Sequence, residues 1–400
     1  MTNAVVLDAP AVEHNGKEHA LVEAAEAPYL LQGEHTQRVI RYIDRLWDKG
    51  LTPMLWGSPG VGKTALIEAM AKRPNCAGMI RVLLGSADKA DTLGMPNRGT
   101  FEGKHGTYNV TIHAAPDWAV QAAETDEDKH FIVFLDEIPQ AEVDVQGTFL
   151  TVLANRVMPS GLKLGNHVKF VAAGNPTSEV SSGFELIEPL QNRLGHITYE
   201  PPKDEWISGM KDAWGHQVDA DEFSLRAMIG GYILCNDDKK LHCAPPTGSK
   251  ENAWPSRRSW DNFAKVGAPD IGDKDALRFY AESFLGEAVA VDFITQVFLL
   301  ERHDPADIVA DPSIIDWRNP LANYYSLSAV VSWVTEPSRL ADAIGVINYA
   351  AGNGPADMAA LALKDWAVKV STVRDTQERL KYVKMIDGDK LGSFMKLLFA

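Results

Sequence analysis

One uninterrupted segment limits the possible folds of this chain more than any other part of its sequence: Gly57-Ser58-Pro59-Gly60-Val61-Gly62-Lys63-Thr64. The segment matches the whole phosphate-binding loop pattern, and it stands between an apolar run at residues 54–56 and a helical pattern at residues 64–72. Its glycines let successive backbone N–H groups turn inward around an anion, and the helix that follows offers its positive N-terminal end to the phosphates. We therefore expect residues 57–65, up to and including Ala65, to bind the phosphates of a nucleotide.

Two side chains at the end of this loop have defined tasks in phosphate binding. Lys63 should reach the β- and γ-phosphates, and the Thr64 hydroxyl should ligate the magnesium ion that bridges them. The alternative is a glycine-rich turn that contains a lysine by chance, and the complete match with its flanks disfavours it. Residues 88–91 faintly resemble the guanine-reading Lys-x-Asp of GTPases, but they lack the leading Asn or Thr, so ATP is favoured over GTP.

A second motif is an apolar run at residues 131–135 that ends in two acids, Asp136 and Glu137. A buried strand that stops at the edge of a nucleotide site has this pattern. Asp136 should hold magnesium through water, and Glu137 should orient and polarise the attacking water. A strand that ends in solvated acids is the alternative. The phosphate loop upstream favours the catalytic interpretation, and a water-activating carboxylate argues against a module that only binds nucleotide.

Two weaker signals follow further along the chain. Asn175 ends another apolar strand pattern, at residues 168–173, and is placed to hydrogen-bond the γ-phosphate or the attacking water. An Asn before a Pro is also a common turn, so the structural alternative stays open. Arg193 follows an apolar helix-like stretch and precedes the last strand pattern, where it would offset the charge of phosphoryl transfer in trans. A lone Arg is more often a solvated surface residue.

The hydrophobic pattern predicts an α/β core followed by helices. Alternating short apolar runs and longer segments imply a parallel sheet of five strands with helices on both faces, preceded by a helix at residues 37–48 that Gly50 would end. After Pro201 and Pro202, helical patterns dominate. The predicted strands lie at residues 53–56, 79–84, 131–135, 168–173 and 196–199, and the clearest later helices at 222–234, 275–285, 324–334 and 365–382.

These patterns divide the chain into four parts. Residues 1–28 are rich in Ala and Glu and predict a flexible N-terminal extension, and residues 29–202 predict the nucleotide-binding core. Residues 203–300 predict a helical lid, and residues 301–400 a helical C-terminal region. Within the core, residues 85–118 are rich in Gly, Asn and Asp, which indicates an exposed insertion.

Composition narrows the class of protein. The formal net charge is -15, from 54 Asp and Glu against 39 Lys and Arg, which disfavours a nucleic-acid footprint. Three scattered cysteines, Cys76, Cys235 and Cys243, do not make a disulfide framework and favour a reducing compartment. The sequence shows neither a signal-peptide start nor an apolar run of roughly 18 residues, so we expect a cytoplasmic protein.

The order of these motifs over residues 30–265 resembles an AAA+ ATPase, and more narrowly the MoxR branch of that family. Residues 91–96, Asp-Thr-Leu-Gly-Met-Pro, resemble the start of the helix-2 insertion in MoxR-like proteins, and Asn155-Arg156-Val157 with residues 158–166 resembles their second insertion. Residues 254–260, Trp-Pro-Ser-Arg-Arg-Ser-Trp, resemble the sensor-2 motif of the lid. The family usually reads Ser-Pro-Arg there, so Arg258 is favoured over Arg257 as the arginine that contacts the γ-phosphate.

The resemblance implies a ring, most often a hexamer, whose sites combine Lys63, Thr64, Asp136, Glu137 and Asn175 of one subunit with Arg193 of the next. It implies a chaperone-like ATPase that uses ATP and Mg²⁺ to remodel or activate a protein client, often with a separate von Willebrand factor A domain protein. Two rivals stay open. One is a nucleic-acid motor, which the charge disfavours, and the other is a nucleotide-gated scaffold with little turnover, which Glu137 disfavours.

Overall fold

The computed structural model describes residues 33–85, 89–176, 185–243, 252–298, 303–389 and 391. The chain divides into two compact units, Met1–Pro202 and Lys203–Ala400. The N-terminal extension predicted at residues 1–28 lies outside the described residues.

The first unit alternates strands and helices along the chain. Its first helix ends before Gly50, whose φ of +70° is the left-handed conformation that glycine adopts without strain at a helix end. Within the described residues its elements are α1 Glu34–Asp48, β1 Thr52–Trp56, α2 Lys63–Ala71, β2 Cys76–Leu83, α3 Lys89–Leu93, β3 Pro96–Gly103, β4 Gly106–His113, α4 Asp117–Ala123, β5 His130–Asp136, α5 Val143–Asn155, β6 Val168–Gly174, α6 Glu188–Gln191 and β7 Leu194–Thr198.

Five of these strands form one parallel sheet in the order β2-β5-β6-β1-β7. The three central strands β5, β6 and β1 are buried on both faces, as a parallel sheet with crossover helices requires. On one face Ile132 and Phe134 pack with residues of α1 and α2, and on the other Val133 and Leu135 pack with residues of α4 and α5. The predicted fold class, a five-stranded parallel sheet sandwiched by helices and followed by a helical region, is confirmed.

The central strands bring the sequence motifs to one edge of the sheet. Strands β5, β6 and β1 are neighbours, and they end at Asp136, Gly174 and Trp56. Trp56 pairs with Gly174 across β1 and β6, so the phosphate loop that follows β1 and the Asn175 that follows β6 leave the sheet side by side. Ligands of open parallel sheets bind at this carboxyl edge.

The predicted insertion at residues 85–118 contains an exposed antiparallel hairpin of β3 and β4. Phe101 and Tyr108 are cross-strand partners near its tip, and each is about half exposed. At its base Gly94 has φ +88°, and a Cβ there would lie 1.6 Å from the carbonyl oxygen of Ala114. Only glycine therefore fits at the base of the hairpin.

The second predicted insertion is a short turn-back after α5. Arg156 follows the helix with φ 58°, and Val157 and Lys163 form an isolated antiparallel bridge. The Leu164 N–H donates to the carbonyl oxygen of Arg156 at 2.8 Å. The hairpin-like path expected at residues 158–166 is therefore present.

The second unit is helical throughout the residues that the structure describes. Its helices are α7 Lys203–Lys211, α8 Ala220–Cys235, α9 Asp238–Leu241, α10 Arg257–Gly267, α11 Lys274–Leu285, α12 Glu287–Phe298, α13 Pro305–Ala310, α14 Pro320–Trp333, α15 Leu340–Asn353, α16 Ala356–Ser371 and α17 Thr376–Val383.

Two hydrophobic clusters fill this unit. One gathers the aromatic rings of Tyr232, Trp260, Phe263 and Phe293, whose centroids lie 5.3 to 6.3 Å apart. The other is built on α14, α15 and α16 around the fully buried Trp366. Residues on both sides of position 300 belong to the same compact unit, and a separate lid and C-terminal region stay a prediction.

One predicted helix is wrong in extent. The pattern at residues 365–382 predicts a single helix, whereas α16 ends at Ser371 and α17 begins at Thr376. The Asp375 side chain accepts hydrogen bonds from the N–H groups of Gln377 and Glu378 and so starts a new helix. The amphipathic pattern is continuous, but the Asp375 cap divides it into two helices.

Within the described part of the chain, none of the helices combines the length and the apolar character that crossing a bilayer requires.

Candidate functional site

The phosphate loop depends on glycine backbone conformations. Gly60 and Gly62 have φ of +80° and +105°, and Gly62 directly precedes α2. A Cβ at Gly57 would lie 2.5 Å from the carbonyl oxygen of Tyr199, which follows β7. These positions explain why the loop needs glycine, and they place the N-terminus of α2 beneath the loop, where it favours anions.

Lys63 is buried at the start of α2 and faces its own loop. Its ammonium donates hydrogen bonds to the carbonyl oxygens of Gly57 and Ser58 at 2.6 and 3.2 Å, and to Asn175 Oδ1 at 2.7 Å. The lysine thus joins the end of β1 to the end of β6. The structure brings together these two residues, which are 112 positions apart in the sequence.

Asp136 ends β5 beside the same helix. Its Oδ1 accepts a hydrogen bond from the Glu137 N–H at 3.0 Å, and its Oδ2 lies 3.5 Å from Thr64 Oγ1. The carboxylate is buried, and Arg81 Nη2 contacts Oδ2 at 2.6 Å. The two predicted metal-ligating residues are therefore neighbours, and a cation already lies against one of them.

The residues present fit a magnesium ion. Thr64 and Asp136 offer a hydroxyl and a carboxylate oxygen next to each other, and Mg²⁺ is bound by oxygen ligands, with only one or two supplied by the protein beside a nucleotide. The donor set is thus of the right kind and number for a magnesium ion shared with phosphates.

Glu137 is held by an unusual backbone conformation. Its φ and ψ are 58° and 32°, and it precedes a short 3-10 turn at Ile138–Gln140. The left-handed region is uncommon for a residue with a side chain. A Cβ at Gly85 would lie 2.7 Å from Glu137 Oε2, so the carboxylate lies against the backbone that follows β2.

Arg193 lies just after the short helix α6. Its side chain is exposed, and Nη1 donates to the carbonyl oxygen of Pro189 at 3.1 Å. An exposed guanidinium is what a finger directed at a neighbouring subunit needs, and that role stays a prediction.

Gln146 holds the segment that leads to Arg193. This fully buried side chain on α5 donates to the carbonyl oxygens of Ala141 and Glu185 at 3.0 and 3.3 Å, and its Oε1 accepts from the Ile187 N–H at 2.9 Å. Ala141 follows the turn after Glu137, whereas Ile187 directly precedes α6. The Gln146 side-chain amide therefore links the segment that follows Glu137 to the segment that precedes Arg193.

The two arginines predicted to act from a lid belong to the second unit. Arg257 and Arg258 are the first residues of α10, where the Ser256 hydroxyl accepts a hydrogen bond from the Ser259 N–H as the helix cap. Arg258 is exposed and Arg257 is half-buried. Their role toward a γ-phosphate stays a prediction.

Sequence reasoning missed Arg81 and Gln146. Arg81 is a charged residue inside an otherwise apolar strand pattern, and that irregularity was the available signal. Gln146 gave a weaker signal, because a polar residue within a helix is usually solvated. Both roles depend on contacts across elements.

Residues 53–194 match the family of the AAA domain, dynein-related subfamily. The match spans the phosphate loop, the acid pair and Asn175, and it ends at the first residue of β7. Together with the confirmed sheet, the match supports the P-loop NTPase fold of the AAA+ type for this part of the chain. A search of curated proteins finds no match.

The solved structures to which the chain is similar are distant from it. NtrX from Brucella abortus in complex with ATP is 13% identical, with 66% of this chain and 68% of that chain covered and a TM-score of 0.30. A RuvB mutant from Thermotoga maritima is 12% identical, with 75% and 81% covered and a TM-score of 0.35. Similarity at this level indicates neither the activity nor the assembly of this chain.

Proposed function

We propose that this protein is an ATP-hydrolysing AAA+ ring ATPase of the MoxR-like branch that remodels or activates a protein client. One observation carries the proposal. The Lys63 ammonium, the Thr64 hydroxyl, the acid pair Asp136 and Glu137, and the Asn175 amide all lie at the carboxyl edge of one parallel sheet, around a phosphate-binding loop. Binding alone does not require that set, because Glu137 has no task until a water molecule attacks.

The proposed reaction is in-line attack of water on the γ-phosphorus of ATP. Glu137 accepts a proton from the water as the new P–O bond forms, while the bond to the bridging oxygen breaks and ADP leaves. Lys63 balances charge on the phosphate oxygens, and Asn175, already bonded to Lys63, orients the γ-phosphate or the water. A bound Mg²⁺ would supply further charge neutralisation at the β- and γ-phosphates, held by Thr64 and Asp136.

We further propose that Arg193 completes the site of the next subunit in a ring, a hexamer if the resemblance to MoxR-like proteins extends to assembly. Its exposure and its location on a segment fastened by Gln146 support this role. A fixed backbone places a long side chain reproducibly, which trans stabilisation of a transition state requires.

The client is proposed to be a protein, with a von Willebrand factor A domain partner in the same pathway and a cytoplasmic location. The exposed hairpin of β3 and β4, with Phe101 and Tyr108 at its tip, supports a protein contact, since aromatic side chains are enriched in protein interfaces. The net charge of -15 argues against nucleic acid as the client.

The test mixes two inactive variants. Glu137→Gln should bind ATP without turnover, and Arg193→Ala should fail to stimulate its neighbour. In a random equimolar ring, about a quarter of the interfaces join an intact site to an intact finger, so mixing should restore roughly a quarter of normal turnover.

The matched control mixes Glu137→Gln with Lys63→Ala. Both substitutions disable the nucleotide site of their own subunit and leave Arg193 intact. In those rings every site next to an intact finger still lacks one of the two residues, so turnover should stay near zero. No recovery in the first mixture, with assembly verified by mass, would show that Arg193 does not act in trans. Normal turnover by Glu137→Gln alone would overturn the proposed mechanism.

A further inference from the structure

Arg81 contacts the carboxylate that the proposed reaction assigns to magnesium, and that reaction has no task for it. Its Nη2 lies 2.6 Å from Asp136 Oδ2, the same oxygen that lies 3.5 Å from the Thr64 hydroxyl. The Arg81 side chain is 46% exposed, whereas that of Asp136 is 8% exposed. The guanidinium thus reaches inward from the surface to a buried acid.

The sheet register explains this contact. Arg81 pairs with Phe134 and Leu83 pairs with Asp136 across β2 and β5. Residues two apart on a strand share a face, so Arg81 and Asp136 are diagonal neighbours, a separation that a long side chain spans. Phe134 packs with residues of α2, which places this face of the sheet on the phosphate-loop side.

The charge balance of the site explains what the contact does. A buried carboxylate is stable only with a compensating cation or several hydrogen bonds. Lys63, the cation of the phosphate loop, donates hydrogen bonds to two carbonyl oxygens and to Asn175. Arg81 therefore supplies positive charge to Asp136, at the oxygen nearest to Thr64.

We propose that Arg81 is the resident counter-cation of Asp136, and that magnesium must displace it when a magnesium–nucleotide complex binds. Competition for one carboxylate oxygen then sets the Mg²⁺ concentration that nucleotide binding requires. The exposed half of the Arg81 side chain gives it room to turn toward solvent without opening the core. The inference rests on the proposed nucleotide binding.

Two effects of removing Arg81 follow from the competition. With its competitor gone, magnesium should reach half-saturation at about a tenfold lower concentration, since a charge-assisted contact no longer opposes it. Without magnesium, the variant should bind nucleotide more weakly than the original protein, because the uncompensated Asp136 carboxylate would face the phosphates. If Arg81 had only a structural role, its removal would not strengthen magnesium binding while weakening magnesium-free nucleotide binding.

The experiment titrates a fluorescent ADP analogue into the full-length protein at free Mg²⁺ from micromolar to millimolar, and also in EDTA. Arg81→Gln is compared with Arg98→Gln, which removes the same charge from the exposed hairpin. We expect the shift in Mg²⁺ dependence and the weaker Mg²⁺-free binding only in Arg81→Gln. Arg81→Lys keeps the charge on a shorter stem and should fall between them.

An unchanged Mg²⁺ dependence in Arg81→Gln, or an equal shift in Arg98→Gln, would overturn the inference. If Arg81→Gln does not fold, the same comparison is made with Arg81→Lys, and an unchanged Mg²⁺ dependence there would also overturn it. Failure of the original protein to bind the analogue at any Mg²⁺ concentration would instead refute the proposed function.

Discussion

The bond between Lys63 and Asn175 links the phosphate loop to the end of the neighbouring strand. At 2.7 Å it joins an ammonium to an amide oxygen in a partly buried site, so it is a charge-assisted hydrogen bond of normal strength. Asn175 can therefore act on the reaction both through Lys63 and through its own N–H donors.

Replacing Asn175 by Ala should separate binding from turnover. Lys63 keeps its bonds to Gly57 and Ser58, so affinity for ADP should change by only a few-fold. Turnover should fall by about 10²-fold, as when one positioned donor is removed from a transition state. Steady-state ATP hydrolysis and a nucleotide titration on the same sample measure the two effects. Equal turnover in the variant would mean that Asn175 is only a turn residue.

Single residues differed in how far the sequence alone could place them. Lys63, Thr64, Asp136 and Glu137 belong to short motifs whose roles follow from local order along the chain. Arg81 does not, because its contact with Asp136 depends on the register of two strands more than fifty positions apart. Arg193 is placed on the surface by the structure, but its proposed role needs a second copy of the chain.

Helices α7 and α16 of the second unit are joined by a buried ion pair. Lys211, whose side chain is 4% exposed, contacts the Asp365 carboxylate and lies 3.9 Å from Asp212. Burial opposes the charge of Lys211, but the carboxylates of Asp365 and Asp212 outweigh that effect and raise the pKa of Lys211. Lys211 therefore stays charged inside the unit.

Asp365→Ala should destabilise the second unit strongly, because it leaves an ammonium buried without its main partner. We expect a loss of about 3 kcal/mol or more in the free energy of unfolding, measured by urea unfolding followed through Trp fluorescence. Lys265→Ala is the matched control: its bond to Asp261 is exposed and should be worth at most about 1 kcal/mol. Equal effects would contradict the burial argument.

The pH dependence of this pair has a definite sign. A lysine whose pKa is raised on folding stabilises the protein fully below its unfolded pKa, and that stabilisation is lost only as pH rises through the folded value. Lys211 should therefore cause no loss of stability between about pH 6 and 9.

At the level of elements, the strands were predictable and the hairpin was not. The three central strands β1, β5 and β6 are short, buried apolar runs, so their composition alone marks them. Strands β3 and β4 are exposed along almost their whole length and show no core-facing alternation. Their pairing rests on backbone bonds and on Gly94 at the base, which leave little trace in the hydrophobic pattern.

For the whole molecule, the excess of acidic residues bears on the choice of client. A phosphate backbone is bound through clustered Lys and Arg, and the chain carries 39 of these against 54 acids. We expect ATP turnover to be unchanged by DNA or RNA at low salt, where such binding is strongest. Stimulation that disappears as salt is raised would instead favour the nucleic-acid motor.

The backbone at Glu137 has one more consequence. A residue with a side chain in the left-handed region costs on the order of 1 kcal/mol relative to a relaxed conformation, and glycine would avoid that cost. Folding and the proposed hydrolysis therefore favour different residues at this position: glycine would ease the turn, whereas the proposed activation of water requires an acid. The sequence has the acid at this position. The domain therefore gives up some stability here in favour of the proposed reaction.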